Sequence, residues 1–423
     1  MIIHTQNSGL SGEIISKGKA KVGAYIEHLQ NVIRQKVYDP PESSLVLPGD
    51  SLYHNEIKAM IQKKKTSALK HIVVVGIGGS NLGTKAVYEA LYFYRDQLRR
   101  DTSATHMHFL DTVDPEMTHA FVEFMKRNIK SSDEIVINII SKSGGTTETL
   151  VNAEIVIAEF RKISQNWKDR CVVSTDEGSK LWKEAEKNNI DTLRIPKQVG
   201  GRYSVFSAVG LFPLGLCGID IDALLDGATM ATTTMDNALY SAIFHSHYVH
   251  EGKNIADTFV FHTELESLGK WYRQLMGESV GKDGKGISPT VTVGSIDHHS
   301  IVQLYLGGPK DKSTTFVFTS KSQELDIPKH PVFDLSVEFA GKTEASIMHA
   351  IRKGTAEAYK KQHLPFLEVE FSHICEKELG WFMQWKMIEM MILGKLLEVN
   401  AFDQPHVELY KTETRKMLEA NNE

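Results

Sequence analysis

The chain has 423 residues, 41% of them hydrophobic and 24% charged. At about 150 residues per domain this predicts two or three globular domains and excludes a disordered or collagen-like chain. The 48 lysines and arginines against 53 acidic residues leave a net charge of −5, so no overall basic field points to nucleic acid or a membrane surface. Cys171, Cys217 and Cys375 are widely separated and odd in number, which fits a reducing cytosol and argues against a disulfide scaffold.

The first residues lack the basic start and apolar stretch of a secretory signal. Residues up to about Pro41 have helical spacing and predict an N-terminal helical arm, closed by a turn-rich stretch at 37–44. A βα rhythm follows. Strands are expected at 71–76, 107–110, 134–140 and 171–174, with helices over 81–98 and from the late 140s to Arg161. A linker is expected near 190–198. The run 203–219 is uncharged but too short to cross a bilayer, and its three glycines and Pro213 predict a buried, broken helix. Further strands are expected at 258–261, 314–319 and 366–371, with helices through Gly277, over 344–361, over 376–399 and over 404–420. Lys386, Glu389, Lys395 and Glu398 interrupt the apolar segment 381–399 and predict an amphipathic core helix. Strands alternating with helices imply α/β sandwiches with parallel sheets. The expected division is 1–45, a helical arm; 46–195 and 196–400, two α/β domains; and 401–423, a C-terminal helix. The reading is of a soluble cytoplasmic protein.

Two loops, each following a strand, carry anion chemistry. Gly76-Ile77-Gly78-Gly79-Ser80-Asn81 joins a strand to a helix. Its glycines let backbone N–H groups approach a ligand beside a helix N-terminus. Asn81 breaks the dinucleotide pattern, and no Gly-Lys-Ser/Thr ends a Walker A loop, so nucleotide binding is disfavoured. Ser141-Lys142-Ser143-Gly144-Gly145-Thr146-Thr147-Glu148 adds hydroxyl donors suited to a phosphate. A ligand-free tight turn and ordinary helix capping by Thr146 or Thr147 are the bland alternatives.

Other candidates are isolated in sequence. Arg202 enters an apolar segment, as an oxyanion-holding cation or a salt-bridged helix start. Gln274 and Glu278 share a helix face, and Glu278 precedes a glycine-rich turn, as a general base or a surface carboxylate. His298 and His299 precede a helix, and His299 lies four before Gln303. Gln404, Glu408 and Lys411 fall on one predicted helix face, where Glu408–Lys411 also makes a plain i, i+3 ion pair. His245, His247 and His250 look like metal ligands, but no cysteine or carboxylate completes a zinc set.

In this order the motifs resemble the glucose-6-phosphate isomerase family, in its short bacterial form. The resemblance rests on 75–80, on Ser141–Gly144 with Thr146–Glu148, on 200–211, on 277–286 and on Phe402–Pro405, and spans about Val73 to Lys411. It implies two sugar-isomerase (SIS-type, flavodoxin-like) domains with helical N- and C-terminal arms, no metal and no organic cofactor. It implies reversible aldose–ketose interconversion of D-glucose 6-phosphate and D-fructose 6-phosphate, a step of glycolysis and gluconeogenesis, in a homodimer. Carried over position by position, Gly79, Ser80, Ser141, Lys142, Ser143 and Thr146 hold the phosphate. Glu278 is the base and Arg202 the enediolate-holding cation. His299, reaching in from the neighbouring subunit, and Lys411 open the sugar ring. Gln274 and Gln404 contact substrate, and Glu148 orders the site. The chain departs from the family at His406, where bacterial relatives usually have glycine, and at Gly145, where threonine is usual. A non-catalytic phosphosugar-binding regulator, and an isomerase also accepting mannose 6-phosphate, are the alternatives.

Overall fold

The computed structural model describes residues 1–99 and 104–420. Among them, ten strands build two five-stranded sheets. The strands are β1 (Ile2–His4), β2 (His71–Val75), β3 (His106–Leu110), β4 (Ile135–Ile140), β5 (Cys171–Thr175), β6 (Asp191–Arg194), β7 (Ile255–Val260), β8 (Ser288–Val293), β9 (Lys312–Thr319) and β10 (Phe366–Phe371). The first sheet runs β3-β2-β4-β5-β6 and is parallel throughout. The second runs β8-β7-β9-β10-β1. Its first four strands are parallel, and β1 closes the edge antiparallel to β10. Taking each sheet's strands in chain order, both have the flavodoxin-like order 2-1-3-4-5 if β1 is counted last. That order has a crevice between its first and third strands, where such folds bind ligands.

The fully buried central strands were legible. Ile-Val-Ile-Asn-Ile-Ile in β4 is buried at every position, as a strand covered on both faces requires. Edge strands carried too little apolar signal. Three residues of the predicted helical arm form β1, Asp-Thr-Leu-Arg in the predicted linker forms β6, and β8 contains Pro289. β6 and β8 lie at sheet edges, where a proline costs least.

Residues from both sheets join one buried cluster, including Val74 and Ile140 from the first and Val260 and Val317 from the second. Helix Glu376–Leu397 runs through it and is buried nearly all round, so the amphipathic expectation fails for its middle. Lys386 and Glu389 are both fully buried and paired at 2.8 Å, which removes the cost of leaving either charge alone. The helix also crosses Ile221–Thr233 at backbone contact. A Cβ on Gly227 or Gly380 would stand within 2 Å of a carbonyl oxygen of the other helix. The broken helix expected at 203–219 is a short helical turn followed by Ala208–Leu216. No helix among the described residues is long and apolar enough to cross a membrane.

Candidate active site

The two anion-type loops leave the C-terminal ends of β2 and β4, the neighbouring strands at the crevice of the first sheet. In the first loop, Gly79 lies against the backbone of the 200–203 turn. A Cβ there would meet the Gly201 carbonyl carbon at 2.2 Å and the Arg202 nitrogen at 2.5 Å, so only glycine fits. Ser80 ends the short helical turn Gly78–Ser80, half-buried beside the following helix.

In the second loop the capping alternative is not realised. Thr146 stands at the N-cap of helix Thr147–Ile163 but makes no cap hydrogen bond. Its hydroxyl pairs with the buried Ser141 hydroxyl at 2.9 Å instead. Thus the first-turn N–H groups lack the usual side-chain partner. Ser143 is exposed, its hydroxyl accepting from the Gly145 N–H at 3.4 Å, and Glu148 sits in the first helical turn. Burial holds the Lys142 ammonium below the ordinary lysine range; Asp176 opposes this, and the positive charge of Arg202 adds to it.

Arg202 is the hub. Its side chain is 2% exposed. Nε donates to the Ser279 hydroxyl at 2.9 Å, and Nη2 to the carbonyls of Ala401 and Asp403 at 2.6 and 3.2 Å. Nη1 donates to Gln404 Oε1 at 2.9 Å and to Glu278 Oε2 at 3.3 Å. The other Glu278 oxygen accepts from Gln274 Nε2 at 3.0 Å, as the i, i+4 spacing on helix Glu266–Val280 requires. The Gln274 carbonyl oxygen is buried without a partner, a polar group left over by the protein itself. Arg202, Glu278, Gln274 and Gln404 thus form one cluster next to the glycine loop, although 202 residues separate the first from the last.

Four supporting groups escaped the sequence reading: Ser279, Lys282, the Ala401 carbonyl and Asp403. Lys282 donates to the Asp403 carboxylate at 2.6 Å and to the Asp403 and Asn400 carbonyls, tying the 281–286 turn to the C-terminal segment. The glycine-rich surroundings of Lys282 signalled a flexible turn rather than a tether.

Gln404 precedes helix Val407–Ala420 instead of sharing its face, and reaches Arg202 alone. Lys411 lies on that helix and pairs with Glu408 at 2.7 Å. His299 ends the turn Ile296–His299 and is exposed, with no side-chain hydrogen bond to the described residues. His298 points the other way, bonding Thr355 at 2.6 Å and packing on Phe259 and Phe261. Of the three metal-like histidines, His245 is buried 3.8 Å from Glu389, and His250 bonds the Ser246 carbonyl of its own helix.

The model of the phosphoglucose isomerase family matches residues 52–423. The chain belongs to that family. It is 35% identical over 355 residues to a glucose-6-phosphate isomerase of Methanocaldococcus jannaschii, covering 82% of this chain and 83% of that one. A crystal structure of a hypothetical protein from Thermus thermophilus superposes with a TM-score of 0.84 at 29% identity, covering 99% of this chain and all of that one. A glucose-6-phosphate isomerase from Chlamydia trachomatis shares the fold, with a TM-score of 0.80 at 15% identity over all of this chain and 89% of its own.

Proposed function

We propose that this chain is an aldose–ketose isomerase that interconverts D-glucose 6-phosphate and D-fructose 6-phosphate in the cytoplasm. The observation that carries the reading is the joining of Glu278 to Arg202 beside two loops rich in free donors.

The phosphate sits on Ser80, Ser141, Ser143 and Thr146 with the backbone of Gly79 and Lys142. Its binding energy sets the sugar carbons over Glu278. His299 of a second subunit and Lys411 exchange protons with the ring oxygen and the anomeric hydroxyl, opening the ring. Glu278 removes the C2 proton of the open aldose, made acidic by the adjacent carbonyl. The electron pair becomes the enediolate double bond, and Arg202 holds the developing oxyanion. Return of the proton to C1, with the O2 proton passing to O1, gives the ketose, and in part of the turnovers the proton held on Glu278 exchanges with solvent before it returns. Gln274 and Gln404 hold the Glu278 carboxylate and Arg202 in place and face substrate hydroxyls, and Glu148 orders the second loop. The exposure of His299, and an apolar surface of Leu325, Val332, Phe333, Leu335 and Val337, support a homodimer.

The test is incubation of the purified chain with fructose 6-phosphate in deuterated water containing EDTA, followed by NMR. Glucose 6-phosphate carrying deuterium at C2 in part of its molecules is expected. Absence of product from a chain that still binds fructose 6-phosphate overturns the assignment in favour of a binding protein.

A further inference from the structure

The second sheet repeats the architecture of the first, and with it part of the phosphate loop. β4 is followed directly by Ser141-Lys142-Ser143, and β9 directly by Ser320-Lys321-Ser322. β4 and β9 are the third strands of their sheets, flanking the crevice in each. The backbone register is also the same. The Ser141 N–H donates to the Ser174 carbonyl of β5 at 3.1 Å, and the Ser320 N–H to the Phe371 carbonyl of β10 at 2.9 Å. Each acceptor residue pairs with the last residue of the third strand, Ile140 in one sheet and Thr319 in the other.

A cavity of about 320 Å³ opens at this second crevice. It is lined by His262, Ser320, Lys321, Ser322, His349 and Arg352 among others. That volume is at the small end of the roughly 300–1,000 Å³ typical of small-molecule sites. The guanidinium of Arg352 lies over the Phe318 ring at 3.7 Å with one nitrogen on Glu368 at 2.5 Å, which fixes its orientation. Lys321 and Ser322 are exposed and free to turn toward a ligand. His262 bridges the two crevice loops, accepting from the Thr319 N–H at 3.3 Å. Burial holds His262 and His349 below the ordinary imidazole range, so near neutrality the unpaired positive charge here is that of Lys321, Arg352 being paired with Glu368. Glu324, exposed, is the acidic member of the lining.

We infer that this crevice is a second, non-catalytic binding site for a small phosphate monoester. Recognition is by the Lys321 ammonium, the Ser322 hydroxyl and the guanidinium nitrogens of Arg352 that Glu368 leaves free, the donors that suit a doubly charged, acceptor-only group, while the Ser320 hydroxyl donates to the Phe371 carbonyl at 3.3 Å. Isomerisation does not occur there, because Phe261 and His262 follow β7 where the glycine loop follows β2, and the carboxylate of the lining, Glu324, is not joined to Arg352 as Glu278 is to Arg202. The inference rests on the assignment of the first loop to phosphate, and its test separates the two.

The full-length chain is titrated by calorimetry with inorganic phosphate and, separately, with glycerol 3-phosphate, which has no carbonyl to isomerise. Four forms are compared: unaltered, Ser143→Ala with Thr146→Ala, Lys321→Ala with Ser322→Ala, and all four changes. Lys321 and Ser322 are exposed, so the fold tolerates their loss. Two equivalents of glycerol 3-phosphate per chain are expected for the unaltered protein, one for each double variant and none for the quadruple. Turnover of fructose 6-phosphate stays unchanged in Lys321→Ala with Ser322→Ala. One equivalent in the unaltered chain, or two that persist in that double variant, overturns the second site. Two equivalents that persist in Ser143→Ala with Thr146→Ala instead overturn the first-loop assignment. Inorganic phosphate matching the ester means that the phosphoryl group alone is read; binding of the ester alone means that its carbon chain is read as well, and both outcomes uphold the site.

Discussion

Glu278→Gln is the perturbation that isolates proton transfer from binding. The two side chains have the same shape, so the packing of helix Glu266–Val280 is kept. One oxygen is lost. The carboxylate now serves two donors, Gln274 Nε2 at 3.0 Å and Arg202 Nη1 at 3.3 Å. The single oxygen of Gln can serve Gln274, because Arg202 retains Ser279, Gln404, Ala401 and Asp403 as acceptors. The folded state should therefore lose only about 1 kcal/mol, the net worth of one hydrogen bond or partly exposed ion pair.

The effect on rate is of another size. Loss of a positioned general base costs about 10²–10⁴ in rate. At about 1.4 kcal/mol for each factor of ten, that is about 3–5 kcal/mol of barrier. kcat should fall by that factor while the dissociation constant for fructose 6-phosphate stays nearly constant, since the phosphate is held by other residues than Glu278. Initial rates from a dehydrogenase-coupled assay give kcat, and calorimetry on the inactive variant gives the dissociation constant. A kcat reduced less than about tenfold would mean that the base is elsewhere. Loss of binding and activity together would make Glu278 a structural residue that holds Arg202.

Gly79→Ala forces the glycine loop off the Gly201–Arg202 backbone, and a displacement of about 1 Å at this position should cost about 10² in kcat/KM, measured by the same coupled assay; activity near that of the unaltered chain would show that the loops need not touch. Glu389→Leu leaves Lys386 buried without its counter-ion and should cost about 3–5 kcal/mol in urea unfolding, whereas Lys386→Met with Glu389→Leu should recover most of the loss; equal losses in both would sink the ion-pair explanation. Burial pushes the Asp257 carboxyl up to about 6, against hydrogen bonds from Thr290, Thr292 and Tyr305. Because its folded pKa lies above its unfolded value, this group penalises folding above pH 6 and the penalty disappears as pH falls toward 4. The stability of the unaltered chain relative to Asp257→Asn should therefore rise by about 2–3 kcal/mol as pH falls through that window, read by denaturant melts at each pH; a flat difference refutes the raised pKa.

The parts of the site legible from sequence are those in which a short run of residues carries the whole chemistry. Gly78-Gly79-Ser80 and Ser141–Thr146 announce themselves because backbone exposure and hydroxyl donors are contiguous. The Gln274–Glu278 pair was legible because helix geometry alone brings i and i+4 together. What holds Arg202 was not legible, since a carbonyl at Ala401 carries no side-chain signature and the link from Lys282 to Asp403 spans 121 residues. The edge strands β1, β6 and β8 were hidden for a related reason: they bury few side chains, so the pattern that burial imposes on sequence is weak there.

The same contrast explains how two sheets of one order support different chemistry. At the first crevice a glycine loop lets backbone N–H groups reach a ligand, and a helix from beyond the second sheet's first strand lowers Glu278 onto it from the other side. At the second crevice Phe261 follows β7 and stacks on Phe259 at 4.9 Å, filling the space a glycine would leave open. Side chains then have to do what backbone does at the first site, and Arg352 and Lys321 are the residues long enough to do it. A site built from such side chains can hold a phosphoryl group, but no carboxylate there is joined to its arginine from a facing helix as Glu278 is to Arg202.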